Sequence, residues 1–236
     1  MTFNPEALTW AIVAGIFAWQ VLMPLIRSIP FGLERSWRLE AESYTGIPIP
    51  FNESEPVPLS ERMRMAFLAG SLVTSFAIFT VHGVSTQWVF VAGFQLCMLL
   101  LLFINIESQI LPDRVVLTVL WIGLVFQAAH GKGADQIQGA AFGFMVPYVL
   151  ALILKALAKK EFIGWGDMKA FAMTGAWVGL NAMPTVFAAF CITGLCIGVV
   201  YKLGNFLTED GMIPTGPMHF LSSLFVVLGL NLGSPW

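Results

Sequence analysis

The sequence predicts an all-α, polytopic membrane helix bundle of about eight transmembrane helices. Three observations carry that expectation. The chain has 236 residues, of which 57% are hydrophobic and only 11% charged, where a soluble domain carries roughly 25% charged residues. Its mean hydropathy is +0.79. Its charges fall in short stretches between apolar runs long enough to approach a bilayer's hydrocarbon thickness. The same arithmetic excludes disorder, a nucleic-acid-binding domain and a small disulfide-stapled fold.

In chain order the runs are Ala7–Ile26, Met65–Val84, Trp88–Ile106, Val115–Ala129, Gly139–Leu157, Met168–Leu180, Pro184–Leu203 and Pro217–Leu232. The first lacks a basic lead-in and is long enough to span, so it reads as a helix of the bundle and not as a cleaved signal. The fourth and sixth are short for a full span. Glycines at helix-packing intervals, Gly139 with Gly143 and Gly175 with Gly179, suit close helix contact in lipid. The three cysteines, Cys97, Cys191 and Cys196, lie inside apolar runs without CxxC spacing. They indicate buried small side chains, and no metal site.

Charge sets the orientation. The odd-numbered connections and the run ends that border them hold Arg27, Arg35, Arg38, Arg62, Arg64, Arg114, Lys155, Lys159, Lys160, Lys169 and Lys202, whereas the alternate ones hold only Lys132. By the positive-inside rule the odd connections face the cytoplasm and both termini lie outside it. The whole of 1–236 reads as one membrane domain, with 27–64 as a cytoplasmic loop between helices one and two. That loop holds Pro30, Pro48, Pro50, Pro56 and Pro58, so much of it is not expected to be continuous helix.

Polar groups at membrane depth are costly and mark candidate sites. Two clusters stand out, both on the cytoplasmic side: Asn105-Ile106-Glu107-Ser108-Gln109-Ile110-Leu111-Pro112-Asp113, and Gly164-Trp165-Gly166-Asp167-Met168-Lys169. Asp167 stands beside a helix start, where free N–H groups favour an anion. Gly164 and Gly166 allow close backbone approach.

The word Gly164-Trp165-Gly166-Asp167 with Lys169 resembles the GxGDxK motif of bacterial type IV prepilin peptidases, the leader peptidase/N-methyltransferase family of membrane aspartyl proteases. Three further words agree. Ile110-Leu111-Pro112-Asp113 is similar to the family's LPD segment, Arg27-Ser28-Ile29-Pro30-Phe31-Gly32-Leu33-Glu34-Arg35-Ser36-Trp37 to the entry into its first cytoplasmic loop, and Ile213-Pro214-Thr215-Gly216-Pro217 to its word before the last span. The resemblance implies an inner-membrane, multi-pass endopeptidase with a cytoplasm-facing site. Such an enzyme cuts the basic leader from type IV prepilins or from the pseudopilins of type II secretion, and long-loop members also methylate the new N-terminus with S-adenosylmethionine. No cofactor is implied for proteolysis. The expected partners are the prepilin and membrane lipid, with no nucleic acid.

The resemblance further implies two aspartates sharing proton transfer, one of them Asp167. At the other position this chain carries Asn105, with Glu107, Asp113, Gly164, Gly166 and Lys169 as supporting or substrate-facing residues. Asparagine keeps the shape and hydrogen bonds of aspartate but does not take a proton from water. The chain as written is therefore expected to be a poor or dead protease. Three accounts stay open: a deliberate isosteric replacement, a natural pilin-binding homologue that does not cut, and Glu107 or Asp113 serving as partner to Asp167. Glu107, Asp113 and the loop glutamates Glu34, Glu40, Glu42, Glu53 and Glu55 are expected to attract the basic leader. A channel or transporter is the competing class. It predicts charges paired at mid-span and internal repeats, and the sequence has neither.

Overall fold

A computed structural model of the chain describes residues 5–48, 50, 56, 58–159, 163–204 and 213–229. All the regular structure among them is helical: α1 (Pro5–Val21), α2 (Leu25–Thr45), α3 (Glu61–His82), α4 (Thr86–Ser108), α5 (Asp113–Ala129), α6 (Gly133–Ala158), α7 (Trp165–Val178), α8 (Met183–Leu203) and α9 (Gly216–Val227). Over the described residues each of the eight apolar runs coincides with a helix, the first running from α1 through the turn at 22–24 into the start of α2. Among the described residues, five helical stretches are long and apolar enough to cross a membrane, namely Pro5–Thr45 together with α3, α4, α6 and α8. The chain is a multi-pass membrane protein. At ~1.5 Å per residue the 17-residue α5, 14-residue α7 and 12-residue α9 reach about 26, 21 and 18 Å, short of a ~30 Å hydrocarbon core.

One helix more than the apolar runs foretell, α2, corrects the reading of residues 27–64. Pro30 lies inside it, although a mid-helix proline loses a hydrogen bond and crowds the carbonyl four residues back. The segment around it is nevertheless well built for a helix. Leu33 and Trp37 recur on one face, and Glu34 pairs with Arg38 one turn on at 2.5 Å. Ile26 is fully buried at the start of the helix. Gly46 ends it in the left-handed conformation, φ +66°, with its N–H on the carbonyl of Glu42. The other prolines of the loop fall beyond that stop. Glu53, Glu55 and the last residues of the eighth apolar run lie outside the described residues.

The buried centre is α4, which contributes Phe94, Gln95, Met98, Leu100 and Ile104 to the core. α1 and α3 cover one flank, with Ser71 donating to the carbonyl of Gly15 at 3.4 Å. α9 covers another, where the Ser223 hydroxyl donates to Oε1 of Gln95 at 2.9 Å. Trp177 of α7 locks onto α5: its indole N–H donates to the carbonyl of Val119 at 3.0 Å, and Nε2 of Gln127 donates to the backbone carbonyl of Trp177 at 2.8 Å. Those bonds satisfy polar groups that lipid and core side chains cannot.

α6 crosses α7 at backbone contact. A Cβ on Gly139 would come within 2.6 Å of the Gly175 carbonyl oxygen, and one on Gly175 would overlap the Gly139 carbonyl oxygen. Close approach of this kind gives helices in lipid their dispersion contacts. It also seats α7, and with it Asp167, at a fixed height.

Gly175→Ala should therefore force the two helices apart and lower unfolding stability in detergent by about 1–3 kcal/mol. Gly93→Ala, whose Cβ would meet nothing within 4 Å, should be neutral or mildly stabilising in the same thermal assay. Equal effects at the two positions would contradict the packing account.

Candidate functional site

One end of the bundle gathers the C-terminus of α4 and the N-termini of α5, α7 and α9. α4 stops where Gln109 adopts the left-handed conformation, φ +54°, and gives its N–H to the carbonyl of Asn105. Pro112, with extended backbone, then opens α5 at Asp113. That hairpin places Asn105 one turn from the helix end and turns Leu111 toward α7, where a Cβ on Gly166 would lie 3.1 Å from the Leu111 Cβ.

Asp167 sits three residues after Gly164, which precedes the first turn of α7. Its Oδ2 accepts the Gly164 N–H at 3.3 Å, satisfying one of the donors a helix start leaves unpaired. The capping role foreseen for an acid at this position is real, but it occupies only one oxygen. Oδ1 faces α9, where the Thr215 hydroxyl donates to it at 2.6 Å and Nε2 of His219 at 3.2 Å. Burial pushes the Asp167 carboxyl up, and the contacts with His219, Thr215 and Gly164 outweigh it, holding the group below its ordinary value.

The residue after Thr215 completes the connection. Gly216 starts α9, and its N–H donates to Oδ1 of Asn105 at 2.7 Å. Nδ2 of Asn105 donates in turn to the carbonyl of Ile110 at 3.4 Å. Two adjacent residues at the start of α9 thus hold Asp167 of α7 and Asn105 of α4. Both side chains line a cavity of about 410 Å³, together with Leu33 and Trp37 of α2, Asp113, Gly164, Trp165, Gly166 and Lys169. Asn105 is nearly closed off, 4% exposed.

Of the residues singled out from the sequence, Asn105, Asp113, Gly164, Gly166, Asp167 and Lys169 meet at this cavity. Glu107 is set aside from it, paired with Arg27 of α2 at 2.9 Å. Asp113 is paired with Lys169 at 2.6 Å, and neither acid bonds to Asp167 in the contacts described. Sequence reasoning used Thr215 and Gly216 only as part of a word, and it missed His219. The available signal was an ionisable residue inside an apolar run, four residues beyond Thr215 and so on the same helix face.

Residues 92–199 match the model of the type IV leader peptidase family. The chain is 25% identical to a prepilin leader peptidase/N-methyltransferase of Pseudomonas putida, over 94% of this chain and 90% of that one. It is 27% identical to a protein of the same description from Aeromonas hydrophila, over 94% and 92%. A third, from Aeromonas salmonicida (strain A449), is 32% identical over 63% of this chain and 49% of its own length. No solved structure matches at a significant level.

Gly216 tests the joint between the helices. Its Cβ would lie 2.7 Å from the Asn105 Cβ and 3.0 Å from the Leu102 Cα, so Gly216→Ala must lift α9 from α4 and break the Asn105 bond. A loss of about 1–3 kcal/mol in detergent unfolding is expected. Thr215→Val, which removes one hydroxyl without adding bulk, should cost less. An unchanged melting temperature for Gly216→Ala would contradict the geometry.

Proposed function

We propose that this chain, which matches the type IV leader peptidase family over residues 92–199 and is similar along most of its length to prepilin leader peptidases, is built as a membrane aspartyl endopeptidase that removes the basic leader of type IV prepilins or pseudopilins. We place the reaction at the cytoplasmic face of the inner membrane, with Asn105 silencing it in the chain as written. The observation that supports the reading most is the pair of adjacent residues, Thr215 and Gly216, binding Asp167 and Asn105 beside one cavity. An aspartic pair needs two acid–base positions held together, and here they come from α4 and α7.

In that chemistry Asp167, the ionised group, takes a proton from water as the water oxygen attacks the scissile carbonyl carbon. The partner at position 105 protonates the developing oxyanion. The proton held by Asp167 then passes to the leaving nitrogen as the C–N bond breaks, and a hydroxyl of the tetrahedral intermediate returns its proton to the group at position 105 as the new carbonyl forms. The surroundings of position 105 favour the acid role there: one oxygen of an aspartate would accept the Gly216 N–H, and the other would face the Ile110 carbonyl, which only a protonated carboxyl can satisfy. Asn105 supplies both hydrogen bonds and no transferable proton.

A basic leader meets acids that already hold cations of this chain. Glu107 with Arg27 and Asp113 with Lys169 would exchange partners with the leader, a less costly step than desolvating bare carboxylates. Methyl transfer from S-adenosylmethionine rests on the relatives' name alone; the cavity residues give no cradle to assign to it, and no step is drawn through it.

A second reading, a pilin-binding homologue that does not cut, is favoured by one observation. Asn105 is satisfied on both sides of its amide, so the site suits asparagine as it stands.

The test is Asn105→Asp incubated with a prepilin in detergent, read by gel shift. Cleavage should rise by at least about 10²-fold, and Asp167→Asn in that background should abolish it. Strong cleavage by the unaltered chain would overturn the silencing, and no gain on restoring the carboxyl would overturn the protease reading.

A further inference from the structure

The chemistry above leaves one buried titratable group without a role. His219 is 2% exposed, with its ring against Phe171 and Phe190 at centroid distances of 4.6 and 4.7 Å. A phenylalanine or leucine would fill that space without a polar atom. The imidazole instead leaves Nδ1 buried with no hydrogen-bond partner among the described residues, which costs stability. The other nitrogen is engaged: Nε2 reaches Oδ1 of Asp167.

We propose that His219 is a positioning residue for Asp167: from behind the cavity its Nε2–H fixes Oδ1 and stabilises the carboxylate. The proposal rests on the reading that Asp167 is the acid–base group. Among the described residues Oδ1 takes two bonds from the α9 segment, at 2.6 and 3.2 Å, while Oδ2 takes the 3.3 Å bond from Gly164. The division of labour follows from those lengths. Oδ1 is held by the protein, and Oδ2 is the oxygen that exchanges a proton with water.

Other charges near the pair are already matched. α4 offers Glu107, held by Arg27 of α2, and α5 offers Asp113, held by Lys169 of α7. α8 presents the Phe190 ring to His219, and α2 brings Leu33 and Trp37 to the cavity wall. A donor at Nε2 stabilises the carboxylate whether the ring is neutral or cationic, so its loss must raise the protonation midpoint of Asp167.

The experiment labels aspartate carboxyl carbons with carbon-13, assigns the Asp167 resonance by its absence in Asp167→Asn, and follows its titration in detergent. His219→Leu should raise the midpoint by about one pH unit. His219→Gln, which keeps an N–H donor but does not titrate, should raise it less. An unmoved midpoint in both variants would overturn the proposal. In the Asn105→Asp background, the acid limb of kcat/KM for prepilin cleavage should move upward in the same order. If that background cleaves nothing, the peptidase reading fails while the titration still decides the role of His219.

Discussion

The arrangement at the cavity depends on one short stretch of backbone, the Thr215–Gly216 start of α9. Its hydroxyl holds the acid of α7 and its N–H holds the amide of α4. The N–H is one of the donors that a helix start leaves unpaired. It would otherwise need water, and here it serves as the anchor for Asn105. Thr215, in the capping position, directs its hydroxyl to another helix's carboxylate and makes no cap bond of its own. Gly216 is required because α4 passes where a Cβ would sit. The remaining packing, from the Gly139–Gly175 crossing to the Trp177 lock on α5, sets the heights at which α4, α7 and α9 meet.

That dependence explains which parts were legible in the sequence. The apolar runs marked eight helices because burial in lipid needs long hydrophobic segments, and that need shows directly in composition. The two polar clusters were legible because ionisable groups are rare at those depths. α2 was not, because Pro30 reads as a breaker. A proline removes one hydrogen bond, and the Leu33–Trp37 face with the Glu34–Arg38 pair continues the helix past it. The meeting of residue 105 with residue 216 was also illegible, since periodicity describes one helix at a time and is silent on which helices touch.

The charge pattern gained meaning in the same way. Glu107 and Asp113 read in the sequence as surplus acids ready to attract a basic leader. In the structure each is already engaged by a cation from a different helix, Arg27 of α2 and Lys169 of α7. Exposed pairs of this kind add little stability, but they tie α2 to α4 and α5 to α7 and leave Asp167 as the acid bound by neutral donors and a histidine. His219 carried no motif and stood in an apolar run. Its significance comes from the fold, which stacks it one turn from Thr215 against the same carboxylate oxygen.

The central claim is that positions 105 and 167 form one acid–base unit across α4 and α7. The most direct test is the pair of carboxyl titrations in Asn105→Asp, followed site by site with labelled aspartate. The account predicts two coupled steps separated by more than about one pH unit. The carboxyl restored at position 105 should be the later to ionise, and its midpoint should fall when Asp167 is changed to Asn. Two independent titrations, each indifferent to the other residue, would contradict it.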